Sequence, residues 1–180
     1  MTTPDLGTLT WLPAANRPEL LAEPVRAAVA ALDADLHVAE IDPDLADTAA
    51  FCTAYEIGLD ASANCVVVAG RRGETTTMAA CLVLATDRAD VNKTVRKHLD
   101  VRKISFAPMD DAVSQTSMEY GGITPVGLPA GWPILVDKAV TDQPWLVIGS
   151  GLRRSKIAIS GHDIARLPGV QVLPLALAQT

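Results

Sequence analysis

Cys65-Val66-Val67-Val68-Ala69, the turn Arg71-Arg72-Gly73 and the return segment Thr75 to Ala85 decide how this 180-residue chain is read. β-Branched valines in a row favour a pleated, packed surface. Two such apolar runs joined by a short glycine-containing turn predict a β-hairpin. A hairpin of this apolarity needs covering, so the segments on either side have to supply further strands and helices.

On the N-terminal side, Pro4, Pro13 and Pro18 make residues 1–18 an extended lead-in. Pro18 or Glu19 opens a helix to about Leu32, with Leu20, Leu21, Val25, Ala28, Val29 and Leu32 at helical spacing. Pro24 either kinks that helix or marks its first turn. Leu36 to Ile41 reads as a short strand. Asp44 or Asp47 caps the next helix, with Phe51, Ala54 and Tyr55 facing inward and Gly58 at its C-terminal end.

On the other side, Asp90 caps a helix from Val91 to Leu99 that exposes Lys93, Arg96 and Lys97. Lys103 to Phe106 reads as a strand, and Pro108, Asp110 and Asp111 start a helix running to about Thr116. Further strands are predicted at Ile134-Leu135-Val136, Trp145 to Ile148 and Ile157-Ala158-Ile159, a helix from His162 to Leu167, and an edge strand within Val170 to Leu177. The sum is an α+β fold, a mixed curved sheet with flanking helices. We expect a single domain, with residues 1–35 as an N-terminal extension and helix packed on a unit of residues 36–180.

An apolar content of 49% fits a globular protein. No apolar run is long enough to span a bilayer, and no signal peptide is apparent, so a cytoplasmic protein without a membrane partner is expected. Cys52, Cys65 and Cys81 are an odd number at wide spacing in apolar surroundings, the pattern of reduced, buried thiols. The net charge of −6 hides an asymmetry: residues 1–60 carry 11 acids and 2 bases, whereas residues 61–180 carry 10 acids and 13 bases. Basic residues cluster at Arg71-Arg72, at Lys93, Arg96, Lys97, Arg102 and Lys103, and at Arg153, Arg154 and Lys156. Such clusters suit phosphate contacts or a solvated face.

Two glycine-rich segments stand out as loops. Tyr120-Gly121-Gly122-Ile123-Thr124-Pro125-Val126-Gly127-Leu128-Pro129 can be neither helix interior nor central strand, and Gly149-Ser150-Gly151 follows the strand-like Trp145 to Ile148. We expect the fold to bring the two together around a small site. His37, His98 and His162 are scattered, and no P-loop, G-x-S-x-G or H-E-x-x-H pattern occurs. Gly149-Ser150-Gly151 lacks the third glycine and following helix of a dinucleotide fingerprint. No metal or cofactor is therefore expected. Main-chain amides freed by glycine remain as the candidate chemistry, with Thr124 or Ser150 orienting a ligand, or else the glycines simply make tight turns.

Ala63-Asn64-Cys65-Val66-Val67-Val68, Tyr120 to Gly127 and Ile148-Gly149-Ser150-Gly151-Leu152-Arg153-Arg154 together resemble the YbaK/EbsC family, standalone relatives of the editing domain of bacterial prolyl-tRNA synthetases. The resemblance covers roughly Leu36 to Val172. It implies a mixed sheet curled into a partial barrel and hydrolysis of the ester of a mischarged tRNA, assisted by the ribose 2′-hydroxyl, a water and loop amides. It implies the tRNA acceptor end as partner, with an aminoacyl-tRNA synthetase as a further one, and leaves the oligomeric state open. It places Gly121 and Gly122 at the acyl pocket, shaped by Thr124 and Pro125, and Gly149, Ser150 and Gly151 at the terminal ribose. Arg153 and Arg154 would meet the phosphates.

One departure matters. The family usually carries Ala-Lys-Thr where this chain reads Ala63-Asn64-Cys65, and that lysine positions the substrate through its terminal phosphate. Asn64 keeps a hydrogen-bonding group but no charge, and a charged bond is roughly twice as strong as a neutral one. A second reading follows, a weak or silent module that binds a tRNA end or a nucleotide, unless Arg71, Lys93 or Arg153 supplies the missing charge.

Overall fold

The computed structural model describes residues 2–179. The hairpin is its longest feature. β3 (Ala63–Arg72) and β4 (Thr75–Leu84) pair antiparallel over ten residues, turning at Gly73 and Glu74. β6 (Lys103–Phe106) extends the hairpin antiparallel on the β3 side. β7 (Ile134–Asp137) and β10 (Val170–Leu173) extend it in parallel on the β4 side, giving the order β10-β7-β4-β3-β6.

A second, antiparallel sheet has the order β1-β2-β9-β8, made of Leu12–Pro13, His37–Glu40, Ser155–Ile159 and Leu146–Gly149. A parallel bridge between Ser62 and Val147 ties the two sheets where β3 begins. β5 (Asp87–Ala89) and β11 (Ala176–Ala178) form a small third sheet. The mixed α+β class expected from the sequence is the class observed, with its strands distributed over several sheets that do not close into a barrel.

Alternation along the strands sorts side chains into three cores. Leu82, Val136, Ile148 and Ile157 pack together with Leu20, Leu21 and Val25, placing α1 (Glu23–Ala31) over the junction of the large sheets. Val147, Ala158 and Ala39, on the opposite face of the second sheet, pack against Trp11 and against Phe51 of α2 (Thr48–Tyr55). Val68, Cys81 and Leu135 pack against Val91, Val95 and Leu175 on the outer face of the first sheet. Each fully buried Leu, Ile or Phe contributes about 1.5–3 kcal/mol.

Several expectations shift in detail. Pro18–Leu20 is a separate 3-10 turn, and Pro24 occupies the first turn of α1 instead of kinking a longer helix. α2 ends at Glu56, which takes the left-handed conformation (φ +56°) expected of Gly58; Gly58 instead precedes a 3-10 turn at Leu59–Ala61. Cys52 rather than Ala54 joins Phe51 on the buried face. Asp90 does cap the next helix, accepting from both the amide and the hydroxyl of Thr94. Its first turn, Val91–Val95, is a π-helix leading into α3 (Arg96–His98). α4 (Met109–Thr116) starts after Pro108 as expected. α5 (Lys138–Thr141), four residues long, escapes any periodicity argument. α6 (Gly161–Ala165) is capped by Ser160. Val170 to Leu177 divides between β10 and β11, with Leu175 fully buried between them.

Asp137 holds that C-terminal arrangement. One carboxylate oxygen accepts from the amides of Leu175 and Ala176, both at 2.9 Å, and the other caps α5 through Ala139 at 3.0 Å. The residue is buried, so losing the carboxylate strands three donors. Asp137→Ala is expected to lower unfolding stability by about 3 kcal/mol or more, measured by denaturant titration, with Asp137→Asn recovering part of the loss.

Candidate functional site

The two glycine segments do come together, through their main chains. Gly151 N–H donates to Gly122 O at 2.7 Å, and Glu119 N–H donates back to Gly151 O at 2.9 Å. Gly122 N–H closes the turn onto Glu119 O at 2.9 Å. The approach is too close for side chains. A Cβ on Gly149 would lie 2.5 Å from Gly122 O, and one on Gly122 would lie 2.9 Å from the Leu152 backbone. The hollow is therefore not between the loops but beside them.

That hollow is a cavity of about 500 Å³, within the usual range for a small-ligand site. The start of α2 contributes Ala46, Asp47 and Thr48; Ser62 and the first residues of β3, Ala63 to Val67, form another side; Gly121 and Ile123 come from the first glycine loop and Gly149 from the end of β8. Phe106, Met109 and Tyr120 also line it and remain 63%, 52% and 60% exposed, which places them at its rim. Asn64 lies on the wall with its Oδ1 accepting from Thr48 Oγ1 at 2.5 Å. Neither Gly121 nor Ile123 donates its N–H to any acceptor among the described residues.

Of the residues singled out from the sequence, Asn64, Gly121 and Gly149 line this cavity. Gly122 is one step behind the wall, its amide committed to Glu119. Thr124 is fully buried, with an unpartnered hydroxyl. Pro125 lines a separate cavity of about 470 Å³ formed with α1 and Trp132. Ser150 Oγ is buried in a network with Leu152 O and Ser155 Oγ, so it braces the bend and does not face the cavity. Gly151 packs against Ala22. Arg153 donates to Tyr120 O and Pro43 O and pairs with Asp47 at 3.6 Å; Arg154 bonds Glu19 O. Both arginines tie loops together.

Lys156 is the residue that the sequence reading missed. It pairs with Gly149 across β8 and β9 and lines the cavity, yet is only 8% exposed. Its Nζ donates to Ala46 O at 2.8 Å and sits 5.0 Å from the centroid of the Phe51 ring. Burial pulls its pKa down to about 8. Grouping it with Arg153 and Arg154 as a surface cluster hid it. The available signal was a charge inside the apolar alternation of Ser155-Lys156-Ile157-Ala158-Ile159.

Burial pushes the thiols of Cys65 on the cavity wall, Cys52 in α2 and Cys81 in β4 above the usual thiol value, Cys81 to about 12. These are neutral thiols near pH 7 and poor nucleophiles. Among the described residues, no three His, Cys, Asp or Glu side chains gather at metal-binding distance, and no helix is long and apolar enough to cross a membrane.

The model of the aminoacyl-tRNA editing domain family matches residues 42–167. The chain belongs to this family. The matched span of the editing domain includes Asn64, both glycine loops and Lys156. Its fold is similar to that of a candidate trans-editing enzyme for prolyl tRNA synthetase, with a TM-score of 0.74 and 20% identity over 87% of this chain and 97% of that one. A hypothetical protein superposes with a TM-score of 0.76 at 15% identity, over 86% of this chain and 100% of that one. A candidate signal transduction protein from Marinobacter aquaeolei VT8 aligns at 0.57 and 14% identity, over 92% of this chain but only 31% of that one. At such identities these neighbours speak for the fold.

The interlock makes a steric prediction for this editing domain. Gly149→Ala and Gly122→Ala both force a methyl group onto backbone atoms, so each is expected to cost about 1–3 kcal/mol of stability by chemical denaturation. An unchanged midpoint for both would show that the loops do not depend on the close approach.

Proposed function

We propose that the chain is a trans-acting deacylase that hydrolyses the ester of a mischarged tRNA, with the acyl-ribose end in the 500 Å³ cavity. The observation that carries this reading is the rim. Phe106 and Tyr120 stand largely exposed beside the cavity that Asn64 and Lys156 line, and aromatic faces left in water are how proteins stack unpaired nucleobases. Phe106 ends β6, whose other end holds Lys103 opposite Arg71, and this exposed basic edge suits the preceding phosphates.

In this reaction a water oxygen adds to the ester carbonyl, the bond to the ribose 3′-oxygen breaks, and that oxygen takes a proton. The products are the free amino acid and a restored ribose hydroxyl. The uncommitted N–H groups of Gly121 and Ile123 suit the oxygen that gains charge as the carbonyl turns tetrahedral. The Asn64 amide, fixed by Thr48 through its oxygen, presents its NH2 to the ligand. In this account residues 36–180 are the editing unit, residues 1–35 an extension packed on it, and the protein works on free tRNA in the cytoplasm.

A binding module is the second reading, favoured by the neutral Asn64 where a lysine is usual. The two separate in one assay. Purified protein is mixed with alanyl-, cysteinyl- and seryl-tRNAs of several specificities, and amino-acid release is followed over multiple turnovers. A deacylase accelerates release of at least one, and Phe106→Ala or Tyr120→Ala lowers kcat/KM about 5- to 100-fold, the worth of one stacked base, without loss of stability. No acceleration across the panel at micromolar protein rejects the deacylase. Tight binding without release, with turnover appearing only in Asn64→Lys, supports the module.

A further inference from the structure

Lys156 is out of place by every ordinary rule for a strand residue. It sits in the interior strand of its sheet, between Ala39 of β2 and Gly149 of β8, with its neighbours Ser155, Ile157 and Ala158 fully buried. A buried ammonium is costly unless paired. Among the described residues it has one hydrogen-bond acceptor, Ala46 O, for three N–H donors, and no carboxylate within ion-pair distance. Asp47, the acid that lines the same cavity, is mostly exposed and pairs with Arg153. Phe51 offers a ring face but no lone pair. Two N–H groups thus remain for whatever occupies the cavity.

Resting on the editing reading above, we propose that Lys156 is the anion-holding point of this cavity and takes an oxyanion of the bound ligand. Two parts of an aminoacylated RNA end can supply such a group, the phosphate of the terminal nucleotide or a carboxylate on the acyl side chain. Either completes the hydrogen bonding of Nζ and neutralises the buried charge. The charge that Asn64 lacks on β3 would then be carried on β9, across the same cavity. Arg71, Lys93 and Arg153 do not line it.

The groups acting on Nζ set the pH response. Burial disfavours the charged form most and Arg153 adds to that, while on the α2 side Asp47 favours it, and Cys52 does so only as a thiolate, at a pH above its raised pKa. The folded pKa of about 8 lies below the ordinary lysine value, so the free protein loses this charge as pH rises through 8. An anion held by the ammonium is therefore bound more weakly at pH 9 than at pH 7. By the same sign, the buried charge lowers folding stability at neutral pH and ceases to do so as pH rises. Lys156→Met is accordingly expected to fold with a Tm at or above that of the wild type.

The test uses amide-linked, unhydrolysable 3′-aminoacyl analogues of adenosine and isothermal calorimetry. One pair differs only by a 5′-phosphate on the alanyl analogue. The other pair compares aspartyl with asparaginyl. In the wild type at pH 7, the acidic member of one pair is expected to bind about 10- to 100-fold more tightly than its neutral counterpart, the worth of a charged hydrogen bond. The pair that separates identifies the source of the oxyanion. That advantage shrinks at pH 9 and vanishes in Lys156→Met. Equal binding within both pairs, or an advantage that survives in Lys156→Met, overturns the proposal.

A nucleoside-free arm separates this idea from the editing reading. The side-chain NMR resonance of Lys156, assigned by comparison with Lys156→Met, is followed on addition of inorganic phosphate and of succinate. A saturable shift with no binding of any adenosine analogue keeps the anion site and rejects the editing reading. Analogue binding with neither ion shift nor acid preference rejects the anion site alone, and no response in either arm rejects both.

Discussion

Two hydrogen bonds between main chains, Gly151 to Gly122 and Glu119 to Gly151, lock the segment after α4 onto the bend between β8 and β9. Their lengths, 2.7 and 2.9 Å, require backbones without side chains between them, and glycine at 122 and 149 meets that need. Further bonds brace the same joint: Arg153 N–H reaches Glu119 Oε1, and Ser150 O receives Ala22 N–H from the residue before α1. Because the bend belongs to the second sheet and the segment after α4 leads back to the first, the joint fixes one sheet against the other. The cavity wall inherits that rigidity, and Gly121 and Ile123 are held with their amides uncommitted. Preorganised donors of this kind need no reorganisation when charge develops in front of them.

What could be read from the sequence was what local chemistry dictates. Consecutive valines and a glycine turn announce a hairpin whatever surrounds them, and β3 and β4 follow. Asp90 and Pro108 mark helix starts by the hydrogen bonds they can and cannot make. The glycine loops were legible as loops, and their meeting was expected from their shared composition and apolar flanks. Their roles were not separable in one dimension. Gly121 lines the cavity while Gly122 is sterically required behind it, and Ser150, which looked free to touch a ligand, is saturated by Ser155 and Leu152. Features set by tertiary contact stayed hidden, among them the left-handed Glu56, the four-residue α5 and the pairing of β5 with β11.

Charge shows the same division. Counting basic residues grouped Arg153, Arg154 and Lys156 as one patch, but β9 begins between them, and the strand alternation sends Lys156 inward while the two arginines staple loops. A lysine in an interior strand is a cost that the fold bears at neutral pH, and such costs concentrate where ligands bind. Asn64 and Lys156 face one cavity from different sheets, so a neutral residue in the usual place of a lysine does not leave the site without a cation.

The function of the cavity depends on where an acylated nucleoside settles. A crystal structure of the protein with unhydrolysable 3′-alanylamido-adenosine 5′-phosphate tests this most directly. The predicted density places the acyl carbonyl by the Gly121 and Ile123 amides and the adenine against Phe106 or Tyr120. Density in the cavity beside Pro125 and Trp132, or on the outer surface with the Asn64 cavity left as it is, would contradict it.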